Sequence, residues 1–379
     1  MSLSYEDTQR LREFYKLCLD SQHQMLGYPV ATDYDYQDLW SFFKFSINNV
    51  GDWAQASNYP MNTFEFEQDV VDYFCRLFHT TTEQAWGYVT NGGTEGNMYG
   101  CYLARERFSD GVVYFSKDTH YSVMKIVRFL NVEHCIIDSQ PNGEMDYDAL
   151  ESALRENPHK PPIIFANLGT TMLGAIDDLT QIQARLHSVG FAREQYYLHA
   201  DAAFHGMVVP YVDNPPPFSF EDGIDSISVS GHKMLGSPIP CGIVLALKAH
   251  TDRISHQIEY IDAPDKTLSG SRNGITPLFL WAYIRGSTKA EKQQRIRDCL
   301  VLAQETVEIL QAHGVEAWRN PNSPIVVFPK PCEVVWRKHH LAVANGVSHL
   351  VIAGQTLACR QRLNQVIDDL ISEQTYLAI

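Results

Sequence analysis

The sequence has no stretch near the roughly 18 consecutive apolar residues that a membrane-spanning helix needs, so no membrane span is expected. Its first residues, Met1-Ser-Leu-Ser-Tyr-Glu-Asp7, are polar and lack the apolar core of a secretory signal. There is no long basic run. Acidic residues outnumber basic ones 45 to 30, for a formal net charge of -15 with histidine neutral. Such a chain repels nucleic acid and anionic membranes. None of the eight cysteines stands in a Cys-x-x-Cys pair, and their scatter from Cys18 to Cys359 fits reduced thiols in a cytoplasmic protein. The fifteen histidines include His339-His340 but no H-E-x-x-H and no Cys/His set at ligand spacing, so no metal is expected. A G-x-S-x-G nucleophile elbow, an internal repeat and a low-complexity segment are also missing.

What remains is an ordinary globular composition, 45% hydrophobic and 20% charged over 379 residues. That length can bury a core without disulfides or metals, and it suits one large and one smaller domain. Residues 5–19 and 65–78 have helical spacing. From Gly87, short apolar runs alternate with helical stretches. Strands are predicted at 87–90, 112–116, 135–138, 163–167, 196–200, 226–230 and 242–247. Helices are predicted at 94–108, 122–130, 146–156 and 178–189, with a short one after Ala203. This alternation predicts an α/β fold with a mainly parallel sheet covered on both faces, and functional loops at the carboxyl ends of the strands. A long helical stretch from 277 to 313, broken near Gly286, precedes strands at 315–318, 325–328 and 349–352 and a last helix from 360 to about 376. The expected organisation is an N-terminal segment 1–50, a large domain 51–275 and a small α+β domain 276–379.

Five motifs fall at predicted strand ends. Ser230-Gly-His-Lys233 offers a lysine that can form a Schiff base with a carbonyl cofactor, beside polar residues able to hold a phosphate. His199-Ala-Asp201-Ala-Ala203 offers a carboxylate for a protonated pyridine nitrogen and a small residue, Ala203, against which a flat ring can lie; Asp201 could equally be a helix cap. Thr90-Asn-Gly-Gly93-Thr94-Glu-Gly-Asn97 reads as a phosphate-binding helix start, or as a plain tight turn. It is neither a P-loop nor a dinucleotide fingerprint. His120, in Asp118-Thr-His-Tyr-Ser122, could stack on a cofactor ring, although a lone histidine is more often structural. Thr171, in Asn167-Leu-Gly-Thr-Thr171, could reach a ring oxygen or a substrate carboxylate, or simply form a turn.

The order and spacing of these motifs resemble the fold-type I enzymes that use pyridoxal 5'-phosphate (PLP), and among them the group II amino-acid decarboxylases. More narrowly, Ser46–Trp53, Trp86–Asn97, Tyr114–His120, Gly231–Gly242 and Gly270–Gly274 are similar to the bacterial PLP-dependent histidine decarboxylases along essentially the full length. Plant serine decarboxylases are similar in the same places. The resemblance implies a PLP-dependent transferase-like large domain and decarboxylation of an amino acid, with L-histidine converted to histamine. It implies that Lys233 is the Schiff-base lysine and Asp201 the partner of the pyridine nitrogen. His120 is implied to stack on the ring and lie in the substrate site, with Gly93, Thr94, Ser230 and His232 around the phosphate. Tyr260 aligns with a loop tyrosine linked to protonating the product, on a loop shorter than in animal relatives. A homodimer or larger homo-oligomer is implied, with the site at the interface and the N-terminal segment as an intersubunit arm.

Other readings use the same residues: decarboxylation of serine or an aromatic amino acid, an aminotransferase on the same fold, or a non-enzymatic binding module. The intact Lys233 and Asp201 argue against the last. Nothing in the sequence singles out a reader of the substrate side chain among Glu259, His205 and Ser269.

Overall fold

The computed structural model describes residues 3–22 and 24–377. Met1 and Ser2, part of the polar N-terminus read above, and His23, Ala378 and Ile379 lie outside the described residues. Helix α1 is Tyr5–Gln22, and a 3-10 helix covers Gln37–Lys44. Then come α2 (Phe64–Leu77), β1 (Ala85–Thr90), α3 (Gly93–Arg107), β2 (Val112–Ser116), α4 (Ser122–Phe129) and β3 (Glu133–Ile137). They are followed by α5 (Tyr147–Glu156), β4 (Pro162–Asn167), α6 (Leu179–Val189), β5 (Tyr197–Asp201), β6 (Ser226–Ser230) and β7 (Gly242–Leu247). Next are α7 (Lys248–Thr251), β8 (His256–Ile258), β9 (Ala263–Asp265), α8 (Thr276–Gly286) and α9 (Lys289–Ala312). The last elements are β10 (Ile325–Pro329), α10 (Glu333–Lys338), β11 (Ala342–Ala344), β12 (Val347–Val351), α11 (Gly354–Ala358) and α12 (Arg360–Leu377).

The chain forms two compact units, one of Tyr34–Ile296 and Asn320–Ser323, the other of Met1–Asp33, Arg297–Arg319 and Pro324–Ile379. These limits differ from a division at residues 50 and 275, and side-chain packing explains why. Ile275 and Phe279 bury against Tyr36. Trp281 donates to Asp69 on α2 at 2.9 Å and meets the Phe66 ring edge-on. Helix α8 therefore belongs with the sheet. At the other end, Leu26 is buried in the core of the second unit.

In the larger unit seven strands form one sheet in the order β1-β7-β6-β5-β4-β2-β3. Only β7 runs against the others, pairing antiparallel with β1 and β6; β6, β5, β4, β2 and β3 are mutually parallel. Every residue of β1, β2, β4, β5 and β6 is buried, as expected of strands covered on both faces. The edge strand β3 is mostly exposed. Asp146 and Asp178 cap α5 and α6 by accepting two backbone N–H groups each, and Gly190 ends α6 in the left-handed region at φ 103°. Because β1, β2, β4, β5 and β6 share one direction, their carboxyl ends lie along one edge of the sheet. All five sequence motifs start there.

The smaller unit carries an antiparallel sheet in the order β10-β12-β11. Its core gathers Leu26, Leu302, Leu310, Phe328, Leu350, Leu363 and Val366. The strand predicted at 315–318 does not form. Only Trp318 pairs, as an isolated bridge to Val327, while Val315 and Ala317 are drawn into the core. The short β11 and the β8–β9 hairpin had no clear period in the sequence and were missed.

Candidate active site

The first wall of the site is the turn between β1 and α3. Gly92 sits at φ 141°, which an L side chain rarely adopts. At Gly93 a Cβ would lie 2.7 Å from the Ser230 hydroxyl and 3.5 Å from the Ala203 methyl, so a side chain there would crowd Ser230 where these three residues meet. The His232 ring lies 3.7 Å from the Cβ position of Gly92. Glu95 ties the turn down: its carboxylate accepts from the Asn91 N–H at 2.9 Å, the Asn91 amide at 2.6 Å and the Tyr88 hydroxyl at 3.0 Å. Gly93 and exposed Thr94 open α3, where the first N–H groups have no intrahelical acceptor and attract an anion.

Asp201, at the end of β5, is only 7% exposed. One oxygen accepts from the Ala203 N–H at 3.1 Å, the other from the Asn97 amide at 2.6 Å. Asn97 is oriented in turn by His199, whose Nε2 lies 3.0 Å from the Asn97 carbonyl oxygen and whose Nδ1 lies 2.7 Å from the Ser226 hydroxyl. A carbonyl oxygen only accepts, so Nε2 carries the proton and Nδ1 accepts from Ser226. Burial pushes the His199 pKa down to about 4, so the ring is neutral near pH 7. This chain exists because α3 approaches the sheet closely. A Cβ at Gly96 would strike Ser228, and one at Gly100 would strike the His199 ring. Sequence reading missed Asn97 and His199 as a pair. The available signal was Gly93, Gly96 and Gly100 recurring on one helical face, which marks close packing and places Asn97 beside it.

Lys233 is half-buried in the turn after β6. The turn is fastened by Gly231 N–H to the Cys241 carbonyl at 2.7 Å, Ser237 N–H to the Gly231 carbonyl at 3.0 Å, and Gly236 N–H to the Lys233 carbonyl at 3.1 Å. Burial lowers the Lys233 pKa, and the charge of Asp201 opposes that shift. His120, after β2, is half-buried with Nδ1 2.7 Å from the Ser122 hydroxyl. Burial lowers its pKa too; Asp201 counters this and Lys233 adds to it, so the three groups share one electrostatic neighbourhood.

A buried brace supports the His120 loop. Asp177, fully buried, accepts from the Met145 N–H at 2.7 Å, the Asn167 N–H at 2.7 Å and the Asn167 amide at 2.9 Å. The Asn167 amide also lies within 3.2 Å of Ser116 and 3.1 Å of Thr119, the residue before His120. Burial raises the Asp177 pKa to about 6.

Gly93, Ala203, Ser230 and His232 thus meet around one turn, and Asp201, Lys233 and His120 interact beside it. Thr171 and Tyr260 are different. Thr171 is exposed. Tyr260 is 78% exposed in the short turn Glu259–Ile261, and its hydroxyl makes no hydrogen bond to a described residue. Of the residues left open as side-chain readers, Glu259 is exposed and Ser269 half-buried. His205 is fully buried, 3.0 Å from the Ser323 hydroxyl, with burial pushing its pKa down to about 3.

These residues fit PLP. A glycine cradle that a Cβ would fill suits a phosphate, a desolvated lysine suits its carbonyl, and a buried carboxylate held by two donors suits its ring nitrogen. The fold and site define a fold-type I PLP-dependent enzyme. Residues 42–329 match the model of the pyridoxal-dependent decarboxylase conserved domain, so the chain belongs to the pyridoxal-dependent decarboxylase family and uses PLP. It is 54% identical to a histidine decarboxylase of Acinetobacter baumannii over 98% of this chain and 97% of that one. It is also 54% identical to a histidine decarboxylase of Morganella morganii, over 98% of both. Among solved structures it is similar to an L-methionine decarboxylase from Streptomyces sp. 590 in complex with L-methionine methyl ester. That match has a TM-score of 0.89 and 26% identity, and covers 98% of this chain and 96% of that one.

Proposed function

We propose that this enzyme decarboxylates L-histidine to histamine and CO₂. The observation that carries the reading is Asp201, buried and held by Asn97 and Ala203 in the neighbourhood of Lys233 and His120. Full-length similarity to histidine decarboxylases supports the choice of substrate. PLP, when bound, supplies a ring that takes up the electron pair left when a bond to Cα breaks. Lys233 is the residue that carries it; partial desolvation lowers the amine's pKa and makes Nζ a better nucleophile. Gly93, Thr94, Ser230 and His232 would hold the phosphate. Asp201 would favour a proton on the pyridine nitrogen, and Ala203 would leave room for the ring. His120 would stack on the ring and serve the substrate carboxylate, and Thr171 would lend a hydroxyl. Tyr260 Oη or Lys233 Nζ would supply the proton to Cα.

A homodimer or larger homo-oligomer with the site at the interface fits one feature of α1. All of its 18 residues escape burial, yet Leu11, Phe14, Tyr15 and Cys18 form a stripe at helical spacing. A second copy covering that stripe would make residues 1–50 an intersubunit arm. The eight free cysteines fit a reducing cytoplasm. Among the described residues no helix is long and apolar enough to cross a membrane.

The test is incubation of the PLP-loaded protein with each of the twenty amino acids, with mass detection of amines. Histamine alone is the expected outcome. Ethanolamine or an aromatic amine would overturn the substrate, and an α-keto-acid-dependent product without amine would mark an aminotransferase.

A further inference from the structure

In the larger unit a cavity of about 430 Å³ opens between the end of α2, Tyr211 and the α8–α9 turn. None of the residues assigned to the PLP site lines it. Four of its nine lining residues are basic (Arg76, Arg285, Lys289 and Lys292) and none is acidic, in a chain with 45 acidic and 30 basic residues. The cavity is therefore a local reversal of the protein's overall charge.

Lys292 is the decisive group. It is only 4% exposed, lies over the rings of Tyr73 and Tyr283, and donates to the carbonyls of Ile284 and Ser287. An ammonium has three donors, and two are used. The carboxylate of neighbouring Glu291 is engaged by the Thr288 N–H and hydroxyl at 2.7 and 2.8 Å. Among the described residues no carboxylate pairs with it, and a buried cation with a spare donor is costly unless an anion completes it. Burial lowers its pKa accordingly. At the rim, Arg76 and Arg285 pair, among the described residues, with the part-exposed Asp72 and Asp69, contacts of small energy that leave both guanidinium groups available. Lys289 is exposed and has no ion pair among the described residues. The rest of the lining is Ser287 and a mainly apolar wall of Leu77, Ile284 and the faces of Tyr73 and Tyr211.

We propose that this cavity binds a small carboxylate carried on an aromatic or branched apolar body. The carboxylate is held by Lys292 and Lys289 and the body rests on Leu77, Ile284 and the tyrosine rings. The volume is that of a small-ligand site. An amino acid is disfavoured, since its ammonium would face four cations. Inorganic phosphate is disfavoured because it would leave the apolar wall unused.

The experiment is ¹⁹F NMR titration of the PLP-loaded enzyme with 4-fluorobenzoate. Saturable binding is expected, weakened at least tenfold in Lys289→Glu and lost in Leu77→Trp, which fills the cavity. Inorganic phosphate should compete weakly, and L-histidine methyl ester should not displace the probe. The proposal is overturned by an absence of saturable binding, by unchanged affinity in either variant, or by displacement by the ester, which would place the probe in the amino-acid site. Because the ester arm reports the amino-acid site separately, failure here leaves the decarboxylase reading standing.

Discussion

Two parts of the larger unit treat their functional residues in opposite ways. At the carboxyl ends of β1, β5 and β6, Gly93, Asp201 and Lys233 sit on turns fastened to a buried sheet, and Asp201 is braced through Asn97 to a neutral His199. In the β8–β9 hairpin, Tyr260 projects from a three-residue turn and is 78% exposed. The first region has its geometry before any ligand arrives. The second leaves its phenol open to solvent. Groups that must keep an aromatic ring aligned need preorganisation, whereas a group that delivers a proton late in the cycle can tolerate mobility.

The contrast can be broken from its strongest side. Lys233→Ala should abolish turnover and the visible absorbance of the lysine-bound cofactor; full activity would remove the lysine's role. Asp201→Ala should keep cofactor bound by equilibrium dialysis while turnover falls by about 10³-fold, the scale of losing a preorganised electrostatic partner. Tyr260→Phe should lower kcat by about 10²-fold, as for a general acid, and leave cofactor affinity unchanged. Wild-type kcat in Tyr260→Phe would hand the proton to Lys233. Asn97→Ala should lower kcat by about tenfold, as for the loss of a hydrogen bond that orients a functional group. It should also shift the cofactor's absorbance–pH profile, which a purely structural role would not do.

The smallest effect concerns stability. His199 and His205 are held neutral by burial, with folded pKa values of about 4 and about 3 against an ordinary 6.5. At these two sites the unfolded chain therefore binds more protons between those values and 6.5, so they cost stability as pH drops through that window, partly offset by Asp177, whose pKa of about 6 acts in the opposite sense. Going from pH 6.5 to 5 should cost on the order of 2 kcal/mol per histidine. Urea unfolding at the two pH values checks this, and His205→Gln should remove about half of the histidine contribution to the slope.

Much of this was legible in the residues, because strand ends in an α/β fold are where loops carry chemistry. Strands at 112–116, 226–230 and 242–247 coincide with β2, β6 and β7 to the residue, since short segments rich in β-branched and apolar residues between helical stretches mark buried strands whichever way they run. The five motifs likewise fell at strand ends. The predicted strand at 315–318 failed because Val315 and Ala317 serve a core rather than a ladder. The limits of the units were hidden because α8 is held by Asp69 and Phe66, some 200 positions earlier in the chain.

By itself, the sequence determined the α/β alternation, the placing of the motifs at strand ends and membership of the decarboxylase family, because local period and motif order survive in one dimension. Only the tertiary structure decided that Asn97 bridges Asp201 and His199, that Tyr260 is exposed where the braced residues are buried, and that four cations from α2 and the α8–α9 turn share one cavity. Those relations join residues distant along the chain. Packing creates them, as where Gly96 and Gly100 let α3 settle against β5 and β6.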